Sequence, residues 1–430
     1  MKPAGGRLQD WLDYQQRTHP SAIALGLERV REVWQRLGAP RPAPLVITVG
    51  GTNGKGSTVA FLEAMLRAAG RRVGSYTSPH LLHYTERVRI DGVPVDEARL
   101  VDAFERIEAA RGSGDATVGL TYFEFGTLAA LVVFAEAGLD VAVLEVGLGG
   151  RLDAVNLIDA DAAIVTTVDL DHQDWLGDDR DSIGREKAGI FRAGRPAIVG
   201  EADPPRGLLE AAAATGADLR RAGRDFSMRP AGDGWRWSSG DTVLDLPPLR
   251  LAAPCQPANA GAALAALHAL RDRLGWQAAA WAEGAVHAQA AARLQRFGGE
   301  VELVVDVAHN PQAAAMLGEW LRGTPGQGRT VAVYGALADK DVAGVLAPLR
   351  GLIGHWHLAG LDRHSPRGLN GPALAAIVGA VEAQVHADPA DALAAAFGAA
   401  RPGDRILAFG SFFVAAAALE YAQSAGLTAR

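Results

Sequence analysis

Residues 45–58, Leu45-Val46-Ile47-Thr48-Val49-Gly50-Gly51-Thr52-Asn53-Gly54-Lys55-Gly56-Ser57-Thr58, constrain this chain more than any other stretch. The apolar run 45–49 predicts a buried strand, and 59–66 has the apolar spacing of a helix. A glycine-rich loop with a lysine between the two predicts an anion cradle. Its glycines let backbone N–H groups converge, the helix N-terminus adds positive potential, and the lysine neutralises phosphate charge. The loop departs from the strict pattern. Gly56 stands where a hydroxyl residue should follow the lysine, Ser57 comes one place late, and Val49 holds the first glycine position. A chance glycine turn is the plainer alternative, but the flanking strand and helix are what a cradle requires. The late hydroxyl implies that magnesium takes ligands from elsewhere in the chain.

At 430 residues the chain is long enough for two domains, and 49% hydrophobic residues suffice for large cores. A net charge of −7 gives no basic bias towards nucleic acid. The single cysteine, Cys255, allows no intrachain disulfide and fits a reducing cytoplasm. Residues 1–7 lack the apolar core of a signal peptide, and the apolar stretch 406–419 is too short to span a bilayer. The expectation is a cytoplasmic, monomeric enzyme with small-molecule substrates and no nucleic-acid or membrane partner.

Strands expected at 73–76, 141–146 and 162–168 alternate with helices at 94–110 and 121–138. This pattern predicts an α/β fold with a mostly parallel sheet covered on both faces. Ligands of such sheets gather beyond the carboxyl ends of the strands. Polar clusters follow the strands at 49, 76, 146 and 168. Residues 200–250 differ: Asp233-Gly234 and Ser239-Gly240-Asp241 mark turns between short antiparallel strands. From residue 301 a second α/β unit begins, with strands near 301–307, 330–334, 353–358, 383–386 and 406–409. The boundary is placed at Phe297-Gly298, giving domains 1–297 and 298–430.

Several side chains at these strand ends have chemistry suited to a site. A buried carboxylate such as Glu145 is costly unless paired or bound to metal. It reads either as a magnesium ligand or as a structural group on backbone N–H donors. His172, after Asp169 and Asp171, and Ser78, in a Ser-Pro turn, are candidates to complete a hard-ligand magnesium site. Lys187, in a basic run on a helix, reads by itself as a solvated residue. Asp306 and His309 follow the first strand of the second unit, and Arg293 just precedes that unit.

Taken together these stretches resemble the folylpolyglutamate synthase/dihydrofolate synthase family of the Mur ligase class. The motifs are Gly51-Thr52-Asn53-Gly54-Lys55-Gly56-Ser57; Ser78-Pro79-His80-Leu81 with Tyr84-Thr85-Glu86-Arg87-Val88; Thr121-Tyr122-Phe123-Glu124-Phe125-Gly126-Thr127; Leu144-Glu145-Val146-Gly147-Leu148-Gly149-Gly150-Arg151-Leu152-Asp153-Ala154; Asp171-His172; Gly184-Arg185-Glu186-Lys187-Ala188-Gly189; and Asp306-Val307-Ala308-His309-Asn310-Pro311. The resemblance implies a large P-loop ATPase domain and a smaller Rossmann-like C-terminal domain, with ATP between them. It implies ATP contacts at Thr52, Asn53, Gly54, Lys55, Gly56, Ser57, Asn259, Arg293 and Asp306. Magnesium would be held by Ser78, Glu145 and His172, with a carbamylated Lys187 binding a second metal. Pterin contacts are implied at Ala24, Leu25, Gly26, Leu27, Thr121, Tyr122, Phe123, Glu124, Arg151, Leu152 and Asp153. Bifunctional members often carry Asp where this chain has Ala24, Gly-Arg-Phe where it has Ala292-Arg293-Leu294, and His at Phe413.

The implied reaction joins L-glutamate to 7,8-dihydropteroate, to reduced folates, or to both, through an acyl phosphate formed with ATP. A folylpolyglutamate synthase without dihydrofolate synthase activity is the alternative. Lys55, Lys187 and His309 are the implied catalytic residues. A cell-wall Mur ligase would need a nucleotide-sugar domain before the phosphate loop. A regulatory GTPase would need an Asn-Lys-x-Asp motif, which Ala338-Asp339-Lys340-Asp341 does not supply.

Overall fold

The computed structural model describes residues 3, 6–18, 23–112, 117–379 and 382–430. Residues 1, 2, 4 and 5, read above for a signal peptide, lie outside the described residues. The chain forms two compact units, Met1–Arg250 with Pro257–Gln289, and Leu251–Gln256 with Ala290–Arg430.

The first unit is built on eight strands: β1 (Leu45–Gly50), β2 (Val73–Tyr76), β3 (Val88–Ile90), β4 (Val93–Pro94), β5 (Val141–Glu145), β6 (Ala162–Val165), β7 (Pro196–Val199) and β8 (Asp218–Arg221). Their order is β4-β3-β2-β5-β1-β6-β7-β8, parallel from β2 to β8, with β3 and β4 antiparallel at one edge. β1 and β5 are buried at every residue and apolar except for Thr48 and the terminal Glu145, as parallel strands covered on both faces require. Val46, Ala142 and Leu144 join one core with Trp11, Trp34, Phe104 and Phe125, from the helices Leu8–Thr18, Glu28–Arg36, Glu97–Ala110 and Tyr122–Glu136. The helix Lys55–Ala68 follows the phosphate loop and packs on β1, β2 and β5. A three-stranded meander follows, β9 (Ser227–Ala231), β10 (Gly234–Ser239) and β11 (Thr242–Leu246), with turns where Asp233-Gly234 and Gly240-Asp241 predict them.

Two boundaries differ from the sequence expectation. The helix expected from residue 94 starts at Glu97, because Val93 and Pro94 pair with β3 at the sheet edge, where proline's missing N–H costs nothing. The strand expected over 162–168 stops at Val165, because the Thr166 hydroxyl turns to the carbonyls of Gly50 and Asn53, at 3.2 and 2.6 Å. β7 and β8 have no counterpart in the sequence reading; they are four residues each, and β8, Asp-Leu-Arg-Arg, lacks an apolar pattern.

The second unit has seven strands: β12 (Gln295–Gly298), β13 (Glu302–Val305), β14 (Thr330–Tyr334), β15 (His355–Ala359), β16 (Ala383–His386), β17 (Arg405–Phe409) and β18 (Thr428–Ala429). Their order is β16-β15-β14-β17-β13-β12-β18, parallel from β16 to β13. Its core gathers Val304, Ala332, Tyr334, Trp356, Leu407 and Phe409 against Leu317 and Trp320 of the helix Pro311–Gly323. Asn310 caps that helix, its Oδ1 accepting from Ala313 N at 3.0 Å, with Pro311 at the first turn where its missing N–H is harmless. Both units are thus mixed α/β, with large, mostly parallel sheets.

Candidate active site

Adjacent strands deliver the phosphate loop, Ser78, Glu145 and the 166–172 segment to one sheet edge. Val49 is level with Glu145, Tyr76 with Leu144, and Gly50 with Val165, so β1, β2, β5 and β6 end together. Gly54 begins the helix Lys55–Ala68 in a left-handed conformation, φ 89°, and a Cβ there would collide with Asn259 Oδ1. Thr52 N donates to Thr167 O at 2.7 Å, and Asn53 N to the Thr167 hydroxyl at 3.1 Å. Lys55 Nζ donates to the carbonyls of Gly51 and Thr52, each at 3.1 Å, so the ammonium is held inside the loop. Ser57 is buried in the first turn.

Glu145 is 4% exposed, and its Oε2 accepts from Ser78 N at 3.3 Å. That contact brings together two of the residues expected at the metal. His172 is left-handed, φ 53°, with its N–H on Asp171 Oδ1 at 2.9 Å. Among the described residues no three His, Cys, Asp or Glu side chains form a metal cage. The donor set nevertheless fits magnesium, which takes one or two carboxylates and completes its shell with water and substrate phosphate oxygens.

Lys187 is 4% exposed, not a solvated surface residue. Burial, then the Lys55 ammonium, hold its amine down at about 7 against the pull of Asp171, Asp153 and Glu201. The glycine run after β5 explains its placement. A Cβ at Gly150 would sit 2.9 Å from Lys187 O and 3.0 Å from Glu186 O, so only glycine lets this loop close on the helix Arg180–Ala188. Arg151 N then reaches Glu186 O at 2.9 Å, and the Arg151 guanidinium pairs with the Glu186 carboxylate at 2.8 Å.

The three segments expected at the pterin also meet. Gly26 N donates to Leu152 O at 3.2 Å. Arg29 donates to Ala24 O at 2.7 Å and to Glu124 Oε1 at 2.8 Å, tying residues 24 and 124 together. Glu124 and Thr121 form a reciprocal helix cap, with Thr121 N on Glu124 Oε2 at 2.7 Å. Leu25, next to these residues in sequence, is half-buried, and Leu27 packs on the core. Asp153 is 2% exposed and accepts from Leu148 N and Val155 N, each at 2.9 Å. Burial outweighs these bonds and pushes its carboxyl up to about 6. Tyr122 and Phe123 belong to an aromatic wall: the Tyr84 and Tyr122 ring centroids lie 5.7 Å apart, Phe123 is 6.1 Å from Tyr76, and the Arg87 guanidinium lies over both Tyr84 and Tyr122.

In the second unit Asp306 braces a tight turn. Its carboxylate accepts from Leu294 N and Ala308 N, each at 2.7 Å. Ala292 and Leu294 are both left-handed, φ 51° and 52°, with Arg293 between them and its guanidinium 5.7 Å from the Phe412 ring. His309 Nδ1 lies 2.8 Å from Val307 O; a carbonyl only accepts, so Nδ1 carries the proton.

The sequence reading missed Thr166 and Thr167, which buttress the phosphate loop, and Arg29, Arg180 and Glu201. Hydroxyls directly after a buried strand were an available signal. So was the carboxylate Glu201 just beyond the buried β7, the same signal that singled out Glu145.

The Mur ligase middle-domain family matches residues 49–225, and the Mur ligase glutamate ligase domain matches 292–412. A curated relative from Escherichia coli (strain K12), named dihydrofolate synthase/folylpolyglutamate synthase, is 45% identical over 97% of this chain and 96% of its own. A solved structure described as E. coli FolC in complex with DHPP and ADP is 44% identical with a TM-score of 0.92, covering 99% of this chain and 100% of that one. Another, a bifunctional folylpolyglutamate synthase/dihydrofolate synthase with Mn, AMPPNP and L-glutamate bound, is 44% identical with a TM-score of 0.89 over the same shares. The phosphate loop, the acidic strand end at Glu145, the buried Lys187 and these likenesses lead to one conclusion: the chain belongs to the dihydrofolate synthase/folylpolyglutamate synthase family of Mur ligases.

Proposed function

We propose that this chain is an ATP-dependent ligase that adds L-glutamate to 7,8-dihydropteroate, forming dihydrofolate, and to reduced folates, extending their glutamate chains. One observation carries the reading: a single sheet edge holds the phosphate loop with Lys55, the Ser78–Glu145 pair and, through the Gly150 contact, the buried Lys187. The relatives bear both activities in their names, which favours the bifunctional enzyme over a folylpolyglutamate synthase alone.

A carboxylate is a poor acyl donor, because its leaving group would be oxide. A carboxylate oxygen of the acceptor attacks the γ-phosphorus of ATP, the bond to the bridging oxygen breaks, and ADP leaves. The glutamate amine then attacks the acyl carbon and loses a proton, and phosphate departs. We assign Thr52, Asn53, Gly54, Lys55, Gly56 and Ser57 to the ATP phosphates, with Asn259 a further ATP contact. Lys55 can exchange its two loop carbonyls for phosphate oxygens without moving far. Ser78, Glu145 and His172 would hold magnesium, which when bound neutralises charge on the transferring phosphoryl group. Lys187, with its amine near neutrality at pH 7, is suited to add carbon dioxide, losing a proton to become a carbamate. That change converts an awkward buried cation into an anionic metal ligand.

The junction of residues 24–27, 121–124 and 151–153 is assigned to the pterin, with Tyr122 and Phe123 supplying flat apolar surface. Asp153 and Glu124 serve it chiefly by fixing the loops that carry them, since their oxygens are occupied by backbone and Arg29. In the second unit Arg293 is assigned to ATP, Asp306 to bracing it, and His309 to orienting phosphate or the incoming amine. We assign nucleotide binding to the first unit and glutamate ligation to the second, and place the enzyme in the cytoplasm as a monomer. No helix of the described residues is long and apolar enough to cross a membrane.

Mass analysis of reactions containing ATP, magnesium, L-glutamate and either dihydropteroate or tetrahydrofolate tests the reading. Each acceptor should gain one or more glutamyl residues with matching ADP. ADP formation without glutamylated product from either acceptor would overturn it.

A further inference from the structure

Beyond the residues assigned above, an ion pair outside the phosphate loop grips the start of the segment that carries His172. The β6–β7 ladder ends at Val165 and Val199, with one further bond from Gly200 N to Val165 O at 2.8 Å. Val168 lies past that ladder, yet both of its backbone polar groups are held by side chains. Its N–H donates to Glu201 Oε1 at 3.0 Å, and its carbonyl accepts from Arg180 Nε at 2.8 Å. The two side chains are themselves paired, Arg180 Nη2 to Glu201 Oε2 at 3.1 Å, and the same nitrogen reaches Asp203 O at 3.0 Å. The next residue is gripped from the other side. Thr52 Oγ1, in the phosphate loop, accepts from Asp169 N at 3.0 Å and donates to Asp169 O at 3.2 Å.

We propose that Glu201 and Arg180 are positioning residues for the metal-dependent step: their ion pair substitutes for the missing strand ladder and fixes the 168–172 segment, and with it His172, against the phosphate loop. The proposal rests on the magnesium role assigned to His172 above. Arg180 is also the first residue of the helix that carries Lys187, so one bracket sets both metal-side elements. Stability alone does not call for this chemistry. An uncharged acceptor would satisfy Val168 N equally well, whereas Glu201 is only 14% exposed and stands near the like charges of Asp169 and Asp203. A carboxylate here has one evident advantage: it offers two acceptors at once, Oε1 to Val168 N and Oε2 to Arg180 Nη2, which leaves Arg180 Nε on the Val168 carbonyl.

The test is an equilibrium titration of Mn2+ into the full chain with ADP, following free Mn2+ by electron paramagnetic resonance, beside steady-state kinetics. Glu201→Ala should weaken Mn2+ binding about 10-fold, the usual cost of losing a group that orients a metal ligand. KM for dihydropteroate should stay within about two-fold. Glu201→Gln keeps an acceptor for Val168 N and should recover part of the loss; Arg180→Met should resemble Glu201→Ala and serves if that variant does not fold. Unchanged Mn2+ affinity in the folded variants overturns the proposal, as does an equal weakening of metal and dihydropteroate binding, which general loosening would give. Absence of Mn2+ binding by the parent chain overturns it too. A parent chain that binds Mn2+ but makes no glutamylated product would sink the proposed activity while leaving the bracket to stand on the titration.

Discussion

Asn259 Oδ1 lies where it would collide with a Cβ at Gly54, so close that no side chain at residue 54 fits without displacing it. The relationship locks the phosphate loop to the helix Gln256–Ala269, far away in sequence. Gly54→Ala therefore faces two penalties, a left-handed backbone and a collision, together on the order of 1–3 kcal/mol of local strain. Turnover should fall at least about 100-fold through misplaced loop N–H groups, with the circular dichroism spectrum retained. Turnover near that of the parent chain would remove the loop from the chemistry.

Lys187 makes stability depend on pH in a defined direction. Its amine titrates at about 7 in the folded chain and near 10.4 when unfolded. Between those values the unfolded chain binds the extra proton, so the penalty of burying Lys187 is full below about pH 7 and fades as pH rises towards 10.4. In carbon dioxide-free buffer Lys187→Met should be more stable than the parent by a few kcal/mol, on the order of the linkage term, at pH 6–7. That gap should close by about pH 10 on calorimetry. A pH-independent difference would show that the amine is not perturbed.

Labelled bicarbonate tests the modification assigned to Lys187. With 13C-bicarbonate, the parent chain should show a carbamate carbon resonance that Lys187→Met lacks. The same resonance in both would place the carbamate elsewhere.

Arg29 is the tie between the Ala24 carbonyl and the Glu124 carboxylate, and Glu124 is 3% exposed. Arg29→Met leaves that carboxylate buried with its charge uncompensated. KM for dihydropteroate should rise about 10-fold or more while KM for ATP stays within about two-fold, a split that steady-state kinetics resolves. Equal rises in both would mean that residues 24–27 and 121–124 are not a pterin site.

Asp161 anchors the opposite end of β1 and β6. It accepts from Arg41 and Arg273, each at 2.6 Å, and from Val46 N at 2.9 Å, and these donors outweigh burial to hold its carboxyl below the usual range. Because the folded value is depressed, its contribution is present above the unfolded carboxylate pKa near 3.9 and is lost as pH falls below it. Asp161→Asn should lower stability at pH 7 by about 2–4 kcal/mol in denaturant titrations, with activity per folded molecule unchanged. An unchanged midpoint would contradict the anchoring role.

Most strands and the largely parallel character of the sheets were legible because the strands are short apolar runs punctuated by glycine or polar turns; the strand order was not. The strand ends read at Val49, Tyr76 and Val146 were legible for the same reason, and fall within a residue of where the strands stop, at Gly50, Tyr76 and Glu145. What the sequence concealed was side-chain chemistry between distant segments. Nothing in the basic run around Lys187 reveals that Gly150 lets a second loop bury it. Glu124 reads as a polar residue available to a ligand, yet its oxygens serve Thr121 N and Arg29. Asp306 likewise proves to be a brace for the turn carrying Arg293. Hydrogen bonds that close over a hundred residues leave no periodicity to read.

Ligation through an acyl phosphate leaves an isotopic signature in the released phosphate. Dihydropteroate labelled with 18O in both carboxylate oxygens is incubated with ATP, magnesium and L-glutamate, and the released phosphate is analysed by mass. Dihydrofolate should form together with phosphate carrying one 18O atom per molecule, because the oxygen that attacked ATP leaves with the phosphorus. Dihydrofolate formed with unlabelled phosphate, or labelled dihydropteroate recovered unchanged while ATP is hydrolysed, would contradict that route.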